Sequence, residues 1–194
     1  MEKTAQRDSS TELEALQTDL STKTGRGVNF IVAGVILWSA FAVLGAFLTN
    51  DVVLALAYAF GAGLLFPLSL LVARAMKLDP YAKGNPLGAL AGLLGAVQIL
   101  FIPLMLGATF AVPHVVPWFL AVLVGAHLLP YAWLYNSRAY LFASIGIPVA
   151  AGLVGWLLRA LVPIAAPSVT AVLLAVTAFM LARENGRSMR RPPP

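Results

Sequence analysis

The stretch Val28–Thr49, VNFIVAGVILWSAFAVLGAFLT, decides the fold. It runs for 22 residues without an ionisable side chain. As an α-helix it reaches about 33 Å, enough to cross the hydrocarbon core of a bilayer with slight tilt. Five segments of the same character follow, at about 52–73, 87–110, 117–135, 139–162 and 164–182, the last of them short and starting among Pro163 and Pro167. The chain therefore reads as all-α: a polytopic transmembrane helix bundle of six spans filling residues 28–183, with a polar segment (1–27) before it and a basic tail (184–194) after it that is expected to lack order.

Composition agrees. Hydrophobic residues make up 60% of the 194 and charged residues 11%, against about 25% charged in a soluble domain. That much apolar surface needs lipid as its solvent. The chain has no cysteine, so disulfides, thiolate chemistry and cysteine-ligated metals are excluded. The net charge of +5 would suggest nucleic acid in a soluble protein, but here the basic residues sit in short loops and tails, where membrane topology accounts for them and no nucleic-acid partner is implied.

Lysine and arginine set the orientation. Lys3, Arg7, Lys23 and Arg26 precede the first span, and Arg74, Lys77 and Lys83 follow the second. Arg138 follows the fourth span, and Arg183, Arg187, Arg190 and Arg191 follow the sixth. Twelve of thirteen basic residues thus share one side, Arg159 being the exception, and both termini are expected in the cytoplasm. The first 27 residues are polar and carry no short apolar core near the terminus, so the first span reads as a retained anchor rather than a cleaved signal.

Within that leading segment Thr11 and Glu14 have capping-box spacing, and Leu13, Leu16 and Leu20 fall on one face of the helix that would follow. Glu12, Glu14 and Asp19 make it acidic, which disfavours anionic lipid. It is either a solvated helix or one docked on the protein's own cytoplasmic face or on a partner. Asn85 and Pro86 are an N-cap and first-position pair for the third span. Gly61–Ala75 (GAGLLFPLSLLVARA) and Gly125–Ala139 (GAHLLPYAWLYNSRA) match at 7 of 15 positions, which fits a duplicated hairpin in parallel orientation, or the shared Leu, Ala and Gly of any such helix.

Polar groups inside the spans are few. Gln98 lies mid-way along the third and His127 mid-way along the fourth, at similar depth, where an amide and a neutral imidazole can satisfy one another. On a regular helix His127, Tyr131 and Arg138 fall within about 40° of one another, a polar stripe from mid-membrane to the cytoplasm that Pro130 would disturb. The stripe reads either as a solute or proton path with His127 as its titrating group, or as a structural hydrogen bond below an interfacial belt of Trp133, Tyr135, Asn136 and Tyr140. Pro67, Pro103, Pro130 and Pro148 interrupt four spans and predict kinks, as hinges or as static bends. Gly88, Gly92 and Gly95, and the pair Ala151 and Gly155, are small-residue faces for close packing, within the bundle or in a homo-oligomer. On the outer side Asp51 and Arg159 are the formal charges and invite a pair, while His114 reads as a solvated loop residue. No HExxH, nucleotide loop, GxSxG or metal-ligand cluster is present, and no carboxylate lies inside a span, so no catalytic residue, metal or cofactor is implied.

KGNPLG (Lys83–Gly88), GAHLLPYAWLYNSRAY (Gly125–Tyr140) and the ILWS of the first span (Ile36–Ser39) resemble an uncharacterised family of small bacterial multi-pass membrane proteins, a domain of unknown function. The resemblance covers most of the chain. It implies a several-helix bundle in the bacterial cytoplasmic membrane and brings no activity, ligand or catalytic residue. Three functions stay open: a small permease or channel-like protein passing a neutral or weakly polar solute by Gln98, His127 and Tyr131; a non-transporting accessory protein using its acidic N-terminal helix and glycine faces; and a lipid-modifying enzyme using the tyrosines and Arg138 at the rim.

Overall fold

The computed structural model describes residues 2–189, and the side chains of residues 10–187. The described residues are helical, with no strand. A polar helix α1 (Glu2–Thr24) leads into α2 (Val28–Phe47), α3 (Asp51–Ala75), α4 (Pro86–Ala111), α5 (Pro113–Leu134), α6 (Arg138–Leu157) and α7 (Val162–Met189). Six stretches, corresponding to α2–α7, are long and apolar enough to cross a membrane. Large apolar side chains face outward all round: Phe47 is 79% exposed, Phe110 74% and Leu100 72%. Such a surface is stable only with hydrocarbon as its solvent. The chain is a multi-pass membrane protein.

Two boundaries differ from the sequence expectation. The fifth span stops at Leu157 rather than near 162, because Leu158 leaves helical geometry (φ −121°, ψ 44°) and a 3-10 turn over Arg159–Leu161 leads into α7. Pro163 gives the reason: in the first turn of a new helix its missing N–H is harmless, whereas in a continuing one it would strip a bond from the ladder. At the other end, residues 184–189, expected as part of a tail without order, complete α7; residues 190–194 lie outside the described residues.

Small residues let the helices close. A Cβ on Gly45 of α2 would stand 2.0 Å from the Pro163 carbonyl oxygen of α7, and one on Gly34 3.0 Å from Leu174 Cδ1. Between α5 and α6, Gly125 receives the Pro148 ring and Gly155 the Trp118 indole, and Ala151 is fully buried. The Ala151–Gly155 face is therefore used within the chain. Gly88 lies against the Tyr81 carbonyl and Gly95 near the Tyr131 hydroxyl, while a Cβ on Gly92 would meet nothing within 4 Å. Pro167 cannot donate to the Pro163 carbonyl, and the Tyr58 hydroxyl takes that role at 2.8 Å, also lying 3.0 Å from the Phe41 carbonyl.

α1 is longer than its capping box suggested: it starts at Glu2 and carries Thr11 inside it. It is docked on its own chain. Leu20 is fully buried beneath it, the Gln17 amide donates to the Trp133 carbonyl at 2.9 Å, and Lys23 Nζ donates to the Lys83 carbonyl at 3.0 Å while pairing with Asp19. The face formed by α1, the α3–α4 loop and the ends of α5 and α7 is called the terminal face below. Asn85 is its keystone. Its Oδ1 caps α4 by accepting from Leu87 N at 2.9 Å, and its Nδ2 donates to the Leu16 carbonyl and to Asp19 Oδ2, each at 2.8 Å. The loop itself is wound round Asp79, whose carboxylate accepts from the backbone N–H of Tyr81 and of Lys83. Those two bonds hold the Asp79 carboxyl below its ordinary value of 3.8. The contribution is present above pH 3.8 and is lost as pH falls through the lowered value. Thermal unfolding followed at pH 5 and at pH 3 is expected to show a larger drop in the wild type than in Asp79→Asn, the remainder belonging to groups such as Asp19, whose carboxyl is also held low; equal drops in both proteins would remove Asp79 as a cause.

Two further expectations need correction. Asp51 and Arg159 form no ion pair; Asp51 instead opens α3 behind the Asn50 cap, which accepts from Val53 N at 3.0 Å. The two similar stretches share a break just after Gly61 and Gly125, but the first stays helical to Ala75 while the second leaves its helix at Leu134, so Arg74 and Arg138 are not equivalent.

Candidate functional site

The six membrane helices divide by continuity. α2, α6 and α7 run unbroken, Pro148 and Pro167 included. α3, α4 and α5 each tighten part-way along: into 3-10 turns over Ala62–Leu64 and Val97–Leu100, and into a turn at Leu128. A proline follows each break closely, at Pro67, Pro103 and Pro130. Each withdraws the donor that the carbonyl four residues back would take, and the backbone ahead of it adjusts.

The three broken helices border a small, partly open cavity of about 30 Å³, room for roughly one water molecule. Ala59 and Ala62 of α3, Phe101, Ile102 and Met105 of α4, and Leu120 and Val124 of α5 line it. Gln98, on the 3-10 turn of α4, is its one polar side chain. His127 is not among the lining residues; its ring lies edge-on to Phe101 at 6.3 Å and to Tyr131 at 5.5 Å. No hydrogen bond joins Gln98 and His127.

The stripe expected along α5 ends at Tyr131. α5 terminates at Leu134 with Asn136 in left-handed geometry (φ 45°), Ser137 N bonded to the Ala132 carbonyl and Asn136 N to that of Trp133. This pattern of crossed bonds closes a helix. Ser137 then caps α6, so Arg138 belongs to the next helix and is exposed. The Tyr131 hydroxyl donates to the Ala91 carbonyl of α4 at 3.0 Å, bridging α5 and α4 between the cavity and the terminal face. Tyr131, Tyr135 and Tyr140 stack on one another with centroids 5.5–6.1 Å apart. Tyr135 and Tyr140 are buried and form no interfacial belt.

A second polar cluster went unseen in the sequence. Gly25, Arg26 and Gly27 take three successive positive φ angles (56°, 54° and 66°), a left-handed turn joining α1 to α2. Glycine suits the first and third; Arg26 is held in the strained middle by its partners. Its guanidinium donates to Asn185 Oδ1, its carbonyl accepts from the Tyr140 hydroxyl at 2.8 Å, and its Nε lies 4.0 Å from Glu184. Asn185 donates back to the Gly25 carbonyl. Glu184 accepts from Ser137 Oγ at 2.6 Å and from Ala139 N at 3.1 Å, placing a carboxylate at the start of α6. Asn29, 1% exposed, links α2 to the Ser69 carbonyl of α3. Glu184 and Asn185 were hidden by being read as tail. A signal existed in the placement of a carboxylate and an amide directly after an apolar run with no glycine or proline between them.

Among the described residues no group of three acidic or histidine side chains is placed to hold a metal. No curated protein and no solved structure matches the chain. The family described as "Family of unknown function (DUF7010)" matches residues 13–184, from the docked face of α1 to the Glu184 that closes the terminal cluster. This six-helix multi-pass membrane protein belongs to that family of unknown function.

Proposed function

We propose that the protein is a small permease for a neutral or weakly polar solute, lying in the cell membrane with its terminal face in the cytoplasm. The observation that carries this is the convergence of all three broken helices on the Gln98 cavity while the other three run unbroken. Discontinuous helices round a mid-membrane polar group are how many carriers build a binding site. Gln98 can both donate to and accept from a hydroxyl or an amide, and the cavity carries no formal charge, which favours an uncharged solute. With room for about one water, the cavity is too small for such a solute, and passage requires α3, α4 and α5 to move apart. The basic residues gathered on the terminal face support its cytoplasmic placement.

The features that suggested other functions have structural uses. The acidic helix docks on its own chain, and the tyrosines stack inward with the Tyr131 and Tyr140 hydroxyls bonded to carbonyls.

Reconstituted vesicles test the proposal by light scattering after mixing with glycerol or urea. Wild-type protein is expected to speed solute entry over protein-free vesicles, Gln98→Leu to abolish the gain, and Arg138→Ala to keep it. A parallel thermal-shift screen of uncharged metabolites is expected to yield a ligand lost in Gln98→Leu and weakened in His127→Ala; at 100 times its dissociation constant it would add about 2.7 kcal/mol. Entry equal to that of empty vesicles, with no Gln98-dependent ligand, would overturn the proposal.

A further inference from the structure

We propose that α1 is a strap that locks the broken-helix half of the bundle shut on its terminal face, and that its release opens the way to the Gln98 cavity; this rests on the permease reading above. The strap is anchored at one end and laid across at the other. Its anchor is the left-handed turn Gly25–Arg26–Gly27, tied by the Arg26–Asn185 and Asn185–Gly25 bonds to α7 and by the Tyr140 hydroxyl to α6. Both belong to the unbroken half. From there the hydrogen bonds of residues 16–23 go to elements of the broken half. Lys23 bonds the Lys83 carbonyl, the Lys23 carbonyl accepts from Asp79 N, and Leu16 and Asp19 accept from Asn85, all in the loop joining α3 to α4. Gln17 bonds the last turn of α5.

Those contacts draw the ends of α3, α4 and α5 together directly below the cavity. The Tyr131–Ala91 bond makes a second closure in series above the strap, about five residues into α4, with Gln98 seven residues further on. A helix held by polar contacts at its rim, with Gln17 and Lys23 half-exposed, is the kind of element that opens locally without unfolding the core. α1 meets the movable half through the hydrogen bonds of Gln17, Lys23, Leu16 and Asp19, its one ion pair (Lys23–Asp19) being internal, and through the buried Leu20; the hydrogen bonds at the rim can be exchanged for water.

Asn85→Asp is the diagnostic variant. It keeps an oxygen to cap α4 but removes the amide donor and sets a carboxylate against Asp19. The chain has no cysteine, so introduced thiols report alone. Ser21→Cys, at a site 5% exposed under the strap, is expected to react with an impermeant maleimide roughly tenfold faster in Asn85→Asp. Spin labels at Tyr81→Cys and Trp133→Cys, both exposed, measure the gap between the α3–α4 loop and α5. The docked protein is expected to give one narrow distance; Asn85→Asp, and a chain lacking residues 2–20, to add a population longer by about 5 Å, one helical turn. An unchanged distance in the chain lacking residues 2–20 would overturn the strap, whether or not Asn85→Asp frees Ser21→Cys. The outcome is separate from transport: a longer distance with no solute entry removes the permease and leaves the strap, while solute entry with an unchanged distance does the reverse.

Discussion

Gly45→Ala is expected to be the most damaging single-methyl change in this protein. The new Cβ would stand 2.0 Å from the Pro163 carbonyl oxygen and 2.6 Å from its carbon, both of them backbone atoms of α7. Neither can rotate away. The same carbonyl is held by the Tyr58 hydroxyl at 2.8 Å, so moving it also disturbs the contact with α3. Relief requires α2 and α7 to separate, and over-packing that moves backbone costs about 3 kcal/mol or more. For a chain of this length that lowers the melting temperature by roughly 6–12 °C. Gly92→Ala is the control, since its Cβ meets nothing within 4 Å and replacing a mid-helix glycine by alanine gains about 0.5–1 kcal/mol. Tryptophan fluorescence during heating in detergent reads both. Coincident melting curves for Gly45→Ala and wild type would show that α2 and α7 do not pack as described.

The second large effect is expected at Glu184→Ala. Its carboxylate accepts from Ser137 Oγ and Ala139 N at the start of α6 and lies beside the Arg26 guanidinium, whose side chain is 14% exposed. Removing it strands two donors and leaves a poorly solvated cation without its counter-charge, a loss of about 3 kcal/mol. Glu184→Gln keeps an acceptor for the donors and is expected to recover about half. Because Arg26 anchors α1, trypsin cleavage after Lys23 or Arg26 should rise in Glu184→Ala at temperatures where the bundle is intact. Cleavage and melting of Glu184→Ala equal to those of the wild type would show that the carboxylate holds nothing there.

Much of the fold was legible because hydrocarbon imposes a one-dimensional rule: a run such as Val28–Thr49 has few alternatives to a membrane helix. Asn85 as a cap was legible for a similar reason, being local chemistry at one residue. The misses came where tertiary partners overrode local signals. Arg138 looked eleven residues along a helix from His127, but the turn at Leu128 and the helix end at Leu134 intervene. Glu184 and Asn185 looked like the start of a tail because their partners, Arg26, Gly25, Ser137 and Ala139, lie far away in sequence. In the candidate site, Gln98 stood out as a lone amide in an apolar helix. That it faces a cavity bounded by three broken helices is a property of how α3, α4 and α5 assemble, which a single helix does not encode.

The tie between Arg26 and Asn185 spans 159 positions of the chain. At about 5–20 residues per second of synthesis, Arg26 leaves the ribosome roughly 8–32 s before its partner exists. The docking partners of α1 come in between, first Asp79, Lys83 and Asn85 of the α3–α4 loop and then Trp133 of α5, all before Asn185. The turn that follows the first helix is therefore the last part of this face to be fastened, and a nascent chain stalled before α7 is expected to be cut by trypsin after Arg26 more readily than the finished protein. The two ends of the described bundle are thus joined by a tie that α7 alone can complete.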